Sequence, residues 1–384
     1  MKIINPCSIH PVGDYCKLSK IKQVSELIQG MDFRKPEYRK EVFLRFYEFH
    51  LKYKSHAGAV YFMLPFLKEK FNLTDEEMLW ITFINGVSQN IITTWILFEK
   101  FPDFKTNPDE IQKFIMDNWN GLGWDMDRRY VKAKFNQALS SYQALIGNKT
   151  QTEYWNDLLK SDDKYENFKL AWNEVMKKFN HFGRLSTFSY LEYQKIIGLN
   201  LDCNSLFLDD MNGSKSHRNG IVKVLGRDDM DWHKDNTCFN GYSQEHITWI
   251  ENEATDLLKE AEIRFKGKEY ENDVSFFTLE TTLCCYKSWH RVNRRYPNVY
   301  MDMFYERIKK AENHWKDKKD FSIFWEARKK YLPKELRLED NNWDIGLNPL
   351  KQNHYLATGQ VIMMDLDWDC FKNNYKKTLL KLKK

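Results

Sequence analysis

Turn-forming residues are scarce in this chain, with 9 prolines and 16 glycines spread over 384 residues. A β-sandwich or barrel needs a turn about every 8 to 12 residues, so this supply is too thin for one. Apolar residues recur instead at helical intervals. Residues 36–54 open on Pro36 and set Phe43, Phe46, Tyr47 and His50 at i, i+3, i+4 and i+7, the spacing that lines one face of a helix. The expected fold class is all-α, an irregular multi-helix globular fold with a central cleft.

Further helices follow the same logic. A second apolar helix is expected over 57–71. Thr74 reads as an N-cap, because Glu77 three residues on completes a capping box ahead of Met78, Leu79, Trp80 and Ile81. This third helix is expected to break or bend near Asn85-Gly86. Pro102, Asn107-Pro108 and Asn120-Gly121-Leu122-Gly123 punctuate the next stretch into short helices and exposed loops. Longer helices are expected over 129–146 and 163–180. Over 200–241 glycine, aspartate and asparagine cluster and apolar periodicity lapses except at 221–225; long irregular segments in compact proteins often carry function. Helical pattern returns over 243–265, 273–294 and 298–315, with Pro297 at a helix start.

Composition narrows the function classes. At 42% hydrophobic and 29% charged, the chain buries one large core or two smaller ones around a shared cleft without a disulfide or metal staple. The formal net charge of +5 permits a polyanionic partner without demanding one. The 26 Phe, 20 Tyr and 13 Trp fill a core or offer faces to nucleobases. Seven cysteines are scattered with no CxxC pair, which reads as reduced thiols in a cytoplasm. Cys7, His10 and Cys16 lack a fourth ligand and a zinc-site spacing. No stretch approaches the roughly 18 apolar residues of a membrane span, and neither export nor membrane insertion is expected. Signatures of P-loop, zincin and α/β-hydrolase chemistry are absent.

Several polar constellations stand out against the apolar pattern. Asn85, Gln89 and Asn90 place three amides in an apolar helix, where each costs free energy unless satisfied. Either a base edge takes their hydrogen bonds or they bond to backbone freed by a kink at Gly86. Trp124-Asp125-Met126-Asp127-Arg128-Arg129-Tyr130 combines two carboxylates and two guanidiniums beside a glycine-rich turn, suited to phosphate clamping and base catalysis or to an exposed helix start capped by Asp125 or Asp127. Gly183-Arg184 precedes a helix with Ser186 as expected N-cap, and Ser216-His217-Arg218-Asn219-Gly220 repeats the theme; basic helix starts favour anions, and are also common capping patterns. Glu280, Cys284, Lys287 and Arg291 share one helix face, beside an apolar stripe of Phe276, Leu279, Leu283 and Tyr286. That basic stripe either tracks a phosphate backbone or faces solvent.

Taken together, these segments resemble the bacteriophage amino acid:DNA transferases, also described as α-glutamyl/putrescinyl-thymine pyrophosphorylase-like proteins. The resemblance spans about residues 40–330. It rests on Leu79-Trp80-Ile81-Thr82-Phe83-Ile84-Asn85-Gly86-Val87-Ser88-Gln89-Asn90, Phe182-Gly183-Arg184-Leu185-Ser186-Thr187-Phe188, Ser216-His217-Arg218-Asn219-Gly220, Leu279-Glu280-Thr281-Thr282-Leu283-Cys284 with Tyr286-Lys287, and Tyr296-Pro297-Asn298-Val299-Tyr300-Met301-Asp302. It implies an enzyme acting on DNA whose pyrimidines carry a diphosphorylated 5-hydroxymethyl group, with a free amino acid as second substrate. The amino acid's amine displaces the diphosphate.

That chemistry makes demands that the residues above can be set against. A departing diphosphate needs cations in a sheltered site, for which Arg184, Arg218 and Lys287 are candidates, with Arg291 further along the same helix. Deprotonating the amine needs a carboxylate, and Asp125, Asp127 or Glu280 can serve. Arg128 is placed to hold the amino acid's carboxylate. Asn85, Gln89 and Asn90 can read the extruded base, with Trp80 or Trp124 stacking on it. No cofactor is expected; Asp209-Asp210 and Asp228-Asp229 could ligate a divalent metal and equally suit loop solvation.

Two rivals remain at this level. One is a helical DNA glycosylase, whose hairpin turn Ile196-Ile197-Gly198-Leu199-Asn200 approximates with its second glycine missing. The other is a non-catalytic DNA-binding protein using the Lys287 stripe and the six lysines from Lys372 onward. The expected organisation is an N-terminal extension over 1–35, a helical catalytic domain over 36–340 with lobes meeting near 200–240, and a C-terminal segment over 341–384 ending in the basic tail.

Overall fold

The computed structural model describes residues 36–208, 215–230, 243–289, 299–332 and 337–340. The N-terminal extension, the basic tail, Asp209, Asp210 and Arg291 lie outside the described residues, as do the side chains of Asp127, Asp228 and Lys287. Among the described residues every regular element is a helix, and none is long and apolar enough to cross a membrane.

Helix α1 (Pro36–Tyr53) starts on its proline and buries Phe43, Phe46 and Tyr47. A short 3-10 turn, with Gly58 and Ala59 at positive φ, leads into α2 (Val60–Phe71). Thr74 then opens α3 (Asp75–Ser88) with the expected capping box: its hydroxyl accepts from Glu77 N at 3.3 Å, and Glu77 Oε2 accepts from Thr74 N at 2.8 Å. From Met78 to Ser88 every residue of α3 is buried, as is Ile91 to Phe98 of α4 (Ile91–Lys100). Helices apolar on all sides belong at the centre of a domain, and the others wrap this pair.

The break expected near Asn85-Gly86 comes slightly later, at Ser88-Gln89. Helix α3 runs through Asn85-Gly86, because Gly86 is needed for close packing rather than for a kink: a Cβ there would lie 3.0 Å from the Tyr190 ring. The chain turns instead at Gln89, in the left-handed conformation (φ 50°), and Asn90 caps α4 through its accepted bond from Thr93 N at 3.1 Å.

Next come α5 (Pro108–Asp117), a 3-10 stretch over Met126–Lys134, α6 (Phe135–Ile146), α7 (Gln151–Leu158) and α8 (Lys164–Lys178). Helix α9 (Arg184–Ile196) begins two residues before the expected cap, with Gly183 at the N-cap and Ser186 inside the helix. The irregular region contains α10 (Lys215–Val224), longer than its short apolar core indicated. Then follow α11 (Gln244–Phe265), α12 (Phe276–Trp289), α13 (Val299–Trp315) and α14 (Ser322–Tyr331). Helix α9 packs on α3, and α10 lies along α12. A Cβ on Gly220 of α10 would lie 2.6 Å from the Leu283 carbonyl oxygen of α12, so only glycine permits that crossing.

Most of the aromatic content fills this core. Phe83 stacks on Tyr142 at 4.1 Å and lies near the rings of Trp80, Phe179 and Phe182. Trp80 is fully buried and its Nε1 donates to Phe101 O at 2.7 Å. The expectation that Trp80 stacks on a base is therefore corrected: both its faces and its one donor are committed to the core.

Candidate active site

The junction between α3 and α4 sets up a cavity. Asp125 N donates to Ser88 O at 3.0 Å, and Thr93 Oγ1 donates to Gly123 O at 2.8 Å, strapping the loop 119–125 across the two helices. Both tight points of the strap are glycines: a Cβ on Gly123 would meet Asn90 Nδ2 at 2.7 Å, and one on Gly121 would meet the His314 ring at 2.2 Å, so a larger residue at either point displaces a neighbour. Trp315 Nε1 donates to Gly121 O at 2.9 Å, which draws α13 alongside. The space enclosed is about 390 Å³ and is lined by Asn90, Trp119, Trp124, Asp125 and four cations, Arg129, Lys132, Arg307 and Lys310.

Four cations face a single carboxylate here. Asp125 Oδ2 pairs with Arg307 Nη2 at 3.1 Å, and burial lifts its carboxyl above the usual range against the pull of that arginine. The side chains of Arg129 and Lys310 make no hydrogen bond or ion pair among the described residues. Lys132 Nζ donates to the carbonyl oxygens of Trp119 and Leu122, and stands 4.1 Å from the Trp119 ring and 5.6 Å from the Trp124 ring. Burial, helped by the charge of Lys310, brings its ammonium down to about 8. Trp124 Nε1 is buried without a hydrogen-bond partner among the described residues, and Trp119 is 40% exposed. Such a surplus of positive charge in a partly enclosed space attracts a polyanion, and the rings offer a flat face.

A second polar cluster is buried around α9, α10 and α12. Arg184 donates to Phe207 O at 2.7 Å and also to Leu206 O, and its Nη2 lies 3.2 Å from His217 Nε2. His217 Nδ1 is 3.0 Å from Glu280 Oε1, which lies 3.9 Å from Arg184 Nη1. Burial, then the charge of Arg184, pushes the His217 imidazole down to about 4. Arg218 Nη2 donates to Leu208 O at 2.7 Å. Both arginines thus clamp the backbone of 206–208, and the helix-start phosphate grip expected of them is replaced by these carbonyl contacts.

One more acid sits nearby. Glu192 of α9 accepts at Oε1 from the hydroxyls of Tyr61 at 2.8 Å and Thr281 at 3.4 Å. Burial, resisted by the Tyr61 hydrogen bond and reinforced by the charge of Glu280, pushes its carboxyl up to about 8. Its neighbour Tyr193 is buried, and burial, reinforced by the charge of Glu192, holds its phenol well above the usual range.

The structure therefore gathers Asn90, Trp124 and Asp125 in the cavity, and Arg184, Arg218 and Glu280 at the buried cluster. Asn85 belongs to neither: its Oδ1 accepts from Thr94 Oγ1 at 3.0 Å, stapling α3 to α4. Arg128 is also reassigned. It is 2% exposed, donates to Val87 O at 3.2 Å and His181 O at 2.6 Å, and lies over the Phe182 ring, so it is not open to an amino acid's carboxylate. Gln89 keeps its interest, since both amide atoms are buried with no partner among the described residues. Sequence reasoning missed Glu192, His217, Lys132, Arg307 and Lys310. The signal for Glu192 was a lone acid four residues after Phe188 on a helix otherwise buried there; for Arg307 and Lys310 it was an i, i+3 basic pair, indistinguishable in sequence from a solvated face. No group of three or more metal-ligating side chains occurs among the described residues.

Comparison with known proteins bears on this arrangement. A family model described as amino acid:DNA transferase matches residues 63–296. A serinyltransferase of Salmonella phage ViI is 26% identical over 325 residues, covering 81% of this chain and 78% of that protein. No solved structure matches.

Proposed function

Since the chain belongs to the amino acid:DNA transferase family and is an enzyme that moves an amino acid onto DNA, we propose that its acceptor is a diphosphorylated 5-hydroxymethyl pyrimidine and that the amino acid's amine displaces the diphosphate. The observation that carries this reading is the cavity's charge, four cations against Asp125. A diphosphate ester brings several negative charges, and more develop as its bond to the methylene carbon breaks. Preorganised cations stabilise that change more than they stabilise the ground state.

In this reading Arg129 and Lys310, without a hydrogen bond or ion pair among the described residues, grip the diphosphate. Arg307 is aimed by Asp125, and Lys132 adds charge from between the tryptophans. Trp119 offers its exposed face to the base. The unsatisfied amide of Gln89 suits a pyrimidine's hydrogen-bonding edge, which presents a donor and an acceptor together. An extruded base is required, because its methylene carbon is otherwise shielded by the duplex stack.

The test is to incubate the protein with DNA containing diphosphorylated 5-hydroxymethyluracil and single amino acids, serine first because of the relative's name. The expected product is a nucleoside heavier by the amino acid. Release of free base indicates a glycosylase instead, and unchanged nucleosides with every amino acid remove the reading. Resonance assignment of the adduct identifies the linking atom; a new bond through oxygen or carbon corrects the amine while leaving the displacement intact.

A further inference from the structure

An amino acid carries an ammonium and a carboxylate, and each needs a partner once it leaves water. The basic cavity offers them unequal choices. Its lining sets Arg129, Lys132, Arg307 and Lys310 against one carboxylate, Asp125. An ammonium placed against any of those cations meets like charge, so Asp125 is the one charged group on this wall that can receive it. Asp125 has the capacity to do so. A carboxylate offers about four lone-pair sites, and its buried Oδ2, within ion-pair range of Arg307 at 3.1 Å, accepts no hydrogen bond among the described residues. The adjacent Trp124 lines the same cavity and is 6% exposed, with its Nε1 donor unpartnered among the described residues. Lys132 Nζ stands 5.6 Å from the Trp124 ring and gives two of its three hydrogens to backbone carbonyls. An unpartnered acceptor and an unpartnered donor side by side in a cavity wall fit a ligand that brings the opposite of each.

We infer that this wall is the subsite for the α-amino acid: Asp125 takes its ammonium, and Trp124 Nε1, with Lys132 beside it, takes its carboxylate. The inference rests on the displacement reading above. Arg128 is closed off in the core, which leaves the carboxylate to these two donors. Arg129 and Lys310 remain for the diphosphate, so a wall of mixed sign sorts the two substrates within one cavity.

The same contact serves the chemistry. An ammonium nitrogen has no lone pair to donate, so one proton passes from it to the Asp125 carboxylate. The freed pair forms the bond to the methylene carbon as the carbon–oxygen bond breaks, the electron pair of that bond leaving on the diphosphate. Asp125 afterwards gives its proton to water.

Two variants of the full chain test the assignment, with KM measured separately for diphosphorylated DNA and for the amino acid. The probes are serine and serinamide, which lacks the carboxylate's charge, or the same pair built on whichever amino acid forms the adduct. Asp125→Asn keeps the shape and is expected to raise KM for serine about 10- to 100-fold, the scale of a hydrogen bond to a charged group. KM for DNA should hold or fall, because a charge that opposes the diphosphate is gone. Trp124→Phe keeps a ring and deletes the N–H, and should narrow the preference for serine over serinamide. An Asp125→Asn variant whose KM for serine is unchanged overturns the inference, and a rise in KM for DNA alone shows that Asp125 serves only to aim Arg307. A preference for serine that Trp124→Phe leaves intact overturns the carboxylate half. If the wild-type protein makes no adduct, the displacement reading fails; if it does while both variants keep the wild-type constants, this assignment alone fails.

Discussion

Lys132 carries its charge without a carboxylate, held by two carbonyl oxygens and two indole faces. A structural lysine would gain more from an acidic partner, so this one is kept available to an incoming anion. The same logic separates Arg129 and Lys310, uncommitted at the cavity wall, from Arg184 and Arg218, whose donors bind the 206–208 backbone. Replacing both Arg129 and Lys310 by alanine is expected to lower kcat/KM for diphosphorylated DNA by roughly a hundredfold or more, on the scale of losing oxyanion-stabilising donors. The melting temperature should hold, since neither side chain makes a hydrogen bond or ion pair among the described residues. An unchanged kcat/KM would remove the cavity from the mechanism. At this scale the sequence was partly legible. Asn90, Trp124 and Asp125 are close in sequence and meet in space. Arg307 and Lys310 come from almost 200 positions away on α13, and no local pattern announces that Gly121 lets α13 approach.

Helices and their caps were the most legible elements, because capping and periodicity are local. Thr74 and Glu77 form their box as expected, and Ser243 caps α11 where the pattern resumes. Glycine was harder to read. Gly86 signalled a bend, yet it sits inside α3 because Tyr190, over a hundred residues later, packs against it. The start of α9 shifted for a related reason: Arg184 must reach the 206–208 backbone, and that tertiary demand set the boundary ahead of Ser186. Gly220 is the sharpest case. Gly220→Ala would drive a methyl group into the Leu283 carbonyl at 2.6 Å and force α10 from α12. Overpacking of this kind typically costs about 1–3 kcal/mol, read as a lower midpoint in urea with an unchanged slope. A variant as stable as the parent would mean that the two helices slide apart freely.

For the molecule as a whole, buried ionisable groups shape the response to pH. Burial holds the imidazoles of His50 and His217 down at about 4. With their ordinary value at 6.5, the unfolded chain binds more protons than the folded one between those limits, so this stability is present above 6.5 and lost as pH falls toward 4. Glu192 runs the other way. With its carboxyl raised to about 8 from 4.5, its contribution is present below 4.5 and lost as pH rises through 8. The melting temperature should therefore peak between these limbs and decline on the alkaline side, and Glu192→Gln should flatten that decline. A decline of equal slope in the variant would show that Glu192 is not held protonated by the fold.

The role proposed for the basic cavity is displacement of a diphosphate from DNA. Its most direct measurement is the ratio of diphosphate released to amino-acid-bearing nucleoside formed during a single incubation of the full chain with diphosphorylated DNA and its amino acid. The expected ratio is one for one, with both signals lost together in the Arg129→Ala/Lys310→Ala variant. Modified nucleoside without matching diphosphate, or both signals undiminished in that variant, would contradict it.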